Sequence, residues 1–201
     1  MGADARTKGY TFEDFCLLVK DGQKADLIDG VIYMASPDNN DANRLCVWLL
    51  GLMDLFVEER DLGDLFVNRA AFRLDDVNSP EPDIAFVRKA RLHLVRRGFT
   101  AGPLDLAVEI VSPECVERDY DRKRRQYERA GVPEYWIVDE IEQKVTLLRL
   151  AVHGKYREVR PRKGILVSEA MPGFWLRVAW LWQQPRPKKT AVLKLLLKGL
   201  S

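Results

Sequence analysis

The chain has 201 residues, 47% hydrophobic and 31% charged, with a net charge of +2. That is enough for one sizeable core, and too balanced in charge to name a partner by itself. Three scattered cysteines (Cys16, Cys46, Cys115) and two lone histidines (His93, His153) exclude a disulfide framework and a Cys/His zinc site.

No apolar signal core opens the sequence and no run of about 18 apolar residues follows, so a cytoplasmic protein is expected. Thr11 with Asp14 three residues on has the spacing of a capping box and predicts a short helix. Ala25 to Met34 holds Asp29-Gly30 between β-branched runs and predicts a tight hairpin. Asp26 in that hairpin reads as a solvated strand charge ahead of an accessory role in a site. Asp38 to Asp41 caps a long helix ending near Arg60, with Leu45, Trp48, Leu49, Leu52 and Phe56 as its core stripe. Leu65 to Leu74 predicts a strand or a bent pair of strands, closed by a polar turn over Asp75–Pro80. Glu81 to Val87 predicts another strand, with Asp83 near its start. A short basic helix over Arg88–Arg97 and a loop over Gly98–Gly102 follow.

Pro103 to Pro113 is the stretch around which the rest is organised. It reads as a strand with Leu104, Leu106, Val108 and Ile110 on one face and Asp105, Ala107, Glu109 and Val111 on the other. A strand apolar on both faces is covered on both sides, so Glu109 is a carboxylate where water is scarce. Burial there is tolerable if Glu109 binds a metal ion or pairs with a cation. Val116 to Ala130 predicts a helix stopped by Gly131 and Pro133, with Val116, Tyr120, position 123, Tyr127 and Ala130 as its buried stripe. Position 123 is Lys123, an ammonium on an apolar stripe, and the two anomalies answer each other. Tyr135-Trp136 reads as core, and Asp139 as a residue at a strand end, in the turn.

Strands are expected over Glu134–Val138, Lys144–Leu150 and Lys155–Arg160. Pro185-Arg-Pro187 then breaks the pattern, and Lys188–Gly199 predicts an amphipathic helix docked on its own domain, on a second subunit or, as the minority reading, on a membrane surface. The expected organisation is a domain over 1–184 and a basic, leucine-rich tail over 185–201. The class is α/β, a mixed sheet flanked by helices, with an N-terminal helix and hairpin and a C-terminal helical tail.

Several blocks together resemble a known family. Asp26-Leu-Ile-Asp-Gly30, Met34-Ala-Ser-Pro37, Pro82-Asp83, Leu106 to Pro113, Asp119-x-x-x-Lys123-x-x-x-Tyr127 and Gly131 to Asp139 occur in the order and spacing of the Uma-type restriction-endonuclease-like family. That family is a branch of the PD-(D/E)XK nuclease-like superfamily. The resemblance implies a restriction-endonuclease-like fold and cleavage of DNA phosphodiester bonds, with Asp83, Glu109 and Lys123 as the catalytic set. It further implies Mg²⁺ or Mn²⁺ held by Asp83, Glu109 and the carbonyl of Ile110. Val111 stands where such nucleases carry a lysine, and in this branch the lysine comes from the following helix, as Lys123 does. Ala42 stands where members often have histidine, which leaves open a non-catalytic nucleic-acid-binding or oligomeric scaffold.

The residue types suit the chemistry independently. Two carboxylates at neighbouring strand ends can hold a hard divalent ion, and a fixed ammonium can orient water or stabilise charge on a phosphate. A structural salt-bridge cluster is the alternative. Asp26, Ser112 and Tyr127 are accessory candidates. Arg118, Arg122, Arg125 and Arg129 form a basic stripe that either tracks nucleic-acid phosphates or is a solvated face offset by Asp121 and Glu128. A homodimer is among the expectations.

Overall fold

The computed structural model describes residues 9–20, 22–36, 39–111 and 116–200. The chain opens with α1 (Phe12–Leu18), the hairpin β1 (Ala25–Ile28) and β2 (Val31–Met34), and α2 (Asn40–Arg60). Then come β3 (Gly63–Val67), β4 (Phe72–Arg73), β5 (Ile84–Arg88), a 3₁₀ turn over Lys89–Leu94, β6 (Thr100–Ala101) and β7 (Leu106–Val111). A π-helical stretch, Arg118–Lys123, runs directly into α3 (Arg124–Ala130). The remainder is β8 (Glu134–Asp139), β9 (Lys144–Leu150), β10 (Tyr156–Val159), β11 (Ile165–Val167), β12 (Trp175–Arg177), α4 (Ala179–Trp182) and α5 (Lys189–Lys198).

One six-stranded sheet carries the molecule, in the order β10-β9-β8-β7-β5-β3. β7 and β8 run parallel, with Glu109 beside Ile137, and the other neighbouring pairs are antiparallel. The parallel pair needs a crossover, and the helical segment between Arg118 and Ala130 supplies it. Gly131, at φ 76°, takes the left-handed conformation that ends α3 and is cheap for glycine.

The local signals explain these elements. Thr11 and Asp14 form the reciprocal capping box at α1. Asn39 caps α2 through its side chain, which accepts from the Asp41 and Ala42 N–H groups. β1 and β2 pair around Asp29-Gly30. The two sides of β7 feed two different cores. Leu106, Val108 and Ile110 join Leu45, Leu49, Leu52 and Phe56 of α2, with α5 laid over α2 through Val192 and Leu196. Trp48 Nε1 donates to the Pro187 carbonyl at 2.8 Å, so the tail helix docks on its own chain. Ala107 and Val111 instead join Tyr127, Tyr135, Ile137 and Tyr156 under α3.

Some expectations change. Leu104 packs with Ala107 and Val111, because it precedes β7 and is free of the strand's alternation. Val116 is helical but exposed, since the helix widens into a π turn from Arg118 that shifts the register of the stripe. Leu65 to Leu74 is the pair β3 and β4. Asp139 is the buried last residue of β8, accepting from the Tyr120 hydroxyl and from the Glu142 N–H of the turn that follows. β11, β12 and α4 were not anticipated; at three to four residues they are too short for periodicity to mark.

Candidate active site

Four segments distant in sequence meet at the ends of β5 and β7. Lys24 and Asp26 come from the start of the hairpin, Glu81 and Asp83 from the approach to β5, Glu109 and Ile110 from β7. Arg118, Asp119, Lys123 and Tyr127 come from the helical crossover. Nearly all of these charges are buried: Asp83 is 7% exposed, and Glu109, Lys123 and Asp26 are each 2% exposed. The hairpin is held in place by Gln126, whose amide donates to the Leu27 carbonyl at 2.8 Å and to Asn78 at 2.9 Å.

Lys123 is the centre of the cluster. Its Nζ lies 2.9 Å from Glu109 Oε1, 3.0 Å from Asp26 Oδ2 and 3.8 Å from Asp119 Oδ1. The Tyr127 hydroxyl, one turn on, also donates to Glu109 Oε1, at 2.8 Å. Asp83 is engaged separately: Oδ2 accepts from the Ile110 N–H at 2.7 Å, and Oδ1 is ion-paired with Lys24. Asp26 Oδ1 accepts from the Glu81 N–H, and Glu81 Oε2 in turn accepts from the Ala25 N–H. Asp26 is therefore a buried member of the cluster, and its reading as a solvated strand charge is corrected.

Burial and partnership pull the charges in different directions. Desolvation opposes the charged form of Lys123, yet Asp26, Glu109 and Asp119 around it hold the ammonium well above the usual lysine range. Burial likewise works against ionised Asp26, but Lys123, then Lys24 and the Glu81 N–H, keep its carboxyl below the usual value. Glu109 and Asp119 go the other way, pushed up chiefly by burial against the opposing pull of Lys123. Glu81 is raised to about 7, again mainly by burial. The site thus holds more carboxylate than its lysines can pair with.

That surplus of hard oxygen bears directly on metal binding. Asp83, Glu109 and Ile110 line a single cavity of about 30 Å³, together with Lys24, Asp26 and Lys123. Its volume suffices for an ion or a water. Among the described residues, no three His, Cys, Asp or Glu side chains form a ready cage. One or two carboxylates completed by water is nevertheless the set that Mg²⁺ uses. The residues present fit such an ion.

The other candidates fall in several places. Arg118 lines the cavity, with Nε 3.9 Å from Asp26 Oδ2. Arg122 lies over the Tyr33 ring, 5.4 Å from its centroid, and pairs with Glu117 at 3.1 Å. Arg125 pairs with Asp121, and Arg129 with Asp29 of the hairpin turn, both at 2.6 Å. Glu128, expected to offset the stripe, pairs with Lys155 instead. Ala42 is buried in the α2 core and is absent from the cavity lining. Ser112 lies outside the described residues. Lys24, Glu81 and Asp119 were missed as site residues. The i,i+4 spacing of Asp119 and Lys123 marked the last of these, whereas Lys24 precedes β1 and carries no local signal.

A search of curated proteins found no match. A solved structure described as "a putative nuclease belonging to DUF820 from Anabaena variabilis ATCC 29413" shares the fold, with a TM-score of 0.70 at 18% identity. The alignment covers 86% of this chain and 97% of that one. The family described as "Uma2: Putative restriction endonuclease" matches residues 11–179. With that match over most of its length, the chain belongs to the Uma2 family.

Proposed function

We propose that the protein is a Mg²⁺- or Mn²⁺-dependent endonuclease that hydrolyses DNA phosphodiester bonds at Asp83, Glu109 and Lys123. The observation that supports this reading best is the buried Lys123–Glu109 pair beside Asp83, around a cavity with more carboxylate than cation. Asp83, Glu109 and the Ile110 carbonyl would hold the ion. When bound, it would polarise the phosphate and lower the pKa of a bound water, favouring hydroxide.

The chain's own residues do the rest. Lys123 presents a fixed ammonium, held by Asp26 and Asp119, to water or to charge gathering on the phosphate. Tyr127 fixes the orientation of Glu109 by donating to Oε1. The Ile110 N–H fixes Asp83 by donating to Oδ2. Arg118 adds positive charge at the cavity wall, while Arg122, Arg125 and Arg129 offer a basic face for phosphates beyond it.

The test is cleavage of linear DNA with Mn²⁺. Asp83→Asn and Glu109→Gln should each lower the rate at least about 10²–10³-fold, the scale of one preorganised charged group. Full activity in a folded Asp83→Asn protein would remove this site from the reaction. A non-catalytic scaffold is the second reading. The observation favouring it is that both carboxylates already have ammonium partners.

A further inference from the structure

The two lysines of the cluster are held in different ways. Lys123 is enclosed by three carboxylates, with its side chain 3% exposed. Lys24 is ion-paired with Asp83, and its side chain is 21% exposed. It also lines two spaces at once: the cavity beside Asp83 and Glu109, and an open groove of about 420 Å³ that includes Ser36, Asn68 and Arg69. Ser36 lines both as well, so the two spaces adjoin.

Asp83 has one oxygen to spare for an ion. Oδ2 is committed to the Ile110 N–H, so an ion that takes Asp83 takes Oδ1, where Lys24 sits. An ammonium and a divalent ion on the same oxygen repel, and the flexible lysine is the one that can leave. The groove gives it somewhere to go. Arg69 is exposed there, without an ion-pair partner among the described residues, in a stretch where Asn68 and Arg69 hold left-handed φ values of 36° and 24°. That strained stretch is tied to the site, because the Asn68 N–H donates to the Asp83 carbonyl at 3.4 Å.

We propose that Lys24 is the stand-in cation of Asp83: it neutralises the carboxylate until a divalent ion binds, then turns into the groove and, with Arg69, takes a substrate phosphate. This rests on the reading of Asp83 and Glu109 as ion ligands. Ion binding and phosphate binding are thereby linked through one side chain, since releasing Lys24 creates the anion site.

Calorimetry with Mn²⁺ on the full chain, as wild type, Lys24→Met, Lys24→Arg and Asp83→Asn, tests the first half. Lys24→Met should bind Mn²⁺ about tenfold more tightly, because a charge-assisted competitor is gone, while Lys24→Arg stays near wild type. General damage to the site would weaken binding instead. The second half is read by fluorescence anisotropy of a labelled single-stranded oligodeoxynucleotide with and without Ca²⁺. The ion should strengthen binding to wild type several-fold, and that gain should vanish in Lys24→Met and in Arg69→Ala. Equal or weaker Mn²⁺ affinity in Lys24→Met, with binding still lost in Asp83→Asn, overturns the stand-in role and leaves the ion site standing. A retained Ca²⁺ gain in Lys24→Met overturns the hand-over to phosphate. No Mn²⁺ binding to wild type, or equal binding to Asp83→Asn, overturns the ion site and this inference together.

Discussion

The two sides of the central sheet are built from one strand and solve opposite problems. On the α2 side, β7 presents Leu106, Val108 and Ile110 to an apolar core, where energy follows from area removed from water and filled volume. On the crossover side, the same strand presents Ala107, Glu109 and Val111 to α3, the hairpin and a cluster of buried charge. Stability on the first side rests chiefly on apolar packing; on the second it depends on which groups carry protons. The difference teaches that burial alone does not mark a site. Burial of groups that must then be matched one against another does.

The largest effects come from breaking each side at its centre. Phe56→Ala on the α2 side should cost about 3–5 kcal/mol of stability, the usual range for a buried aromatic, at any pH where the protein folds. Lys123→Met should cost a similar amount, about 3–5 kcal/mol, by leaving Asp26, Glu109 and Asp119 without their cation. Its loss should shrink as pH falls, because those carboxylates can then take protons and shed the uncompensated charge. Denaturant melts at about pH 8 and pH 5 separate the two. A Lys123→Met penalty that is the same at both would dissolve the contrast between the faces.

Glu81→Gln sharpens the contrast with a smaller effect. The folded Glu81 carboxyl, raised from 4.5 to about 7, binds its proton more tightly than in the unfolded chain. Its contribution is therefore intact below about pH 4.5 and is lost as pH rises through 7. Glutamine keeps the acceptor for the Ala25 N–H and carries no charge, so the variant should gain about 1–3 kcal/mol at pH 8 and little at pH 4.5. Melting curves of both proteins at the two pH values measure it. A gain of equal size at both would point to packing rather than ionisation.

The smallest structural effect belongs to the exposed arginines. Arg125→Ala with Arg129→Ala breaks ion pairs in solvent, and the melting temperature should hardly move. If the stripe meets phosphate, the salt dependence of DNA binding should nonetheless fall by roughly one unit per lost contact. An unchanged slope would make the stripe a solvated face.

The parts of this molecule legible in sequence are those where one residue violates a local pattern. Glu109 breaks an apolar strand and Lys123 breaks a helical stripe, so each announces itself within about a dozen residues. Lys24 has no such background. It meets Asp83 across 59 positions, and only the folded chain makes them neighbours. Asp26 was misread because β1 has four residues, all buried, which is too short a run for alternation to reveal an inner face. The helix over 116–130 was anticipated, whereas its π-helical opening was not, since propensity carries no signal for a widened turn.

The site's carboxylates and its central ammonium ride on different bodies. Glu109 belongs to the sheet, and Asp83 immediately precedes one of its strands. Lys123 sits on the crossover, which holds the sheet side both by packing, with Tyr127 among Ala107, Val111 and Tyr135, and by polar contacts: its own ion pairs, Tyr127 to Glu109, and Gln126 to the hairpin. Lifting that helix away would part the charges without breaking the pairing of the six strands, so the arrangement is open to local loosening as well as to global unfolding. Warming is therefore expected to loosen the charge cluster at or below the temperature that melts the sheet.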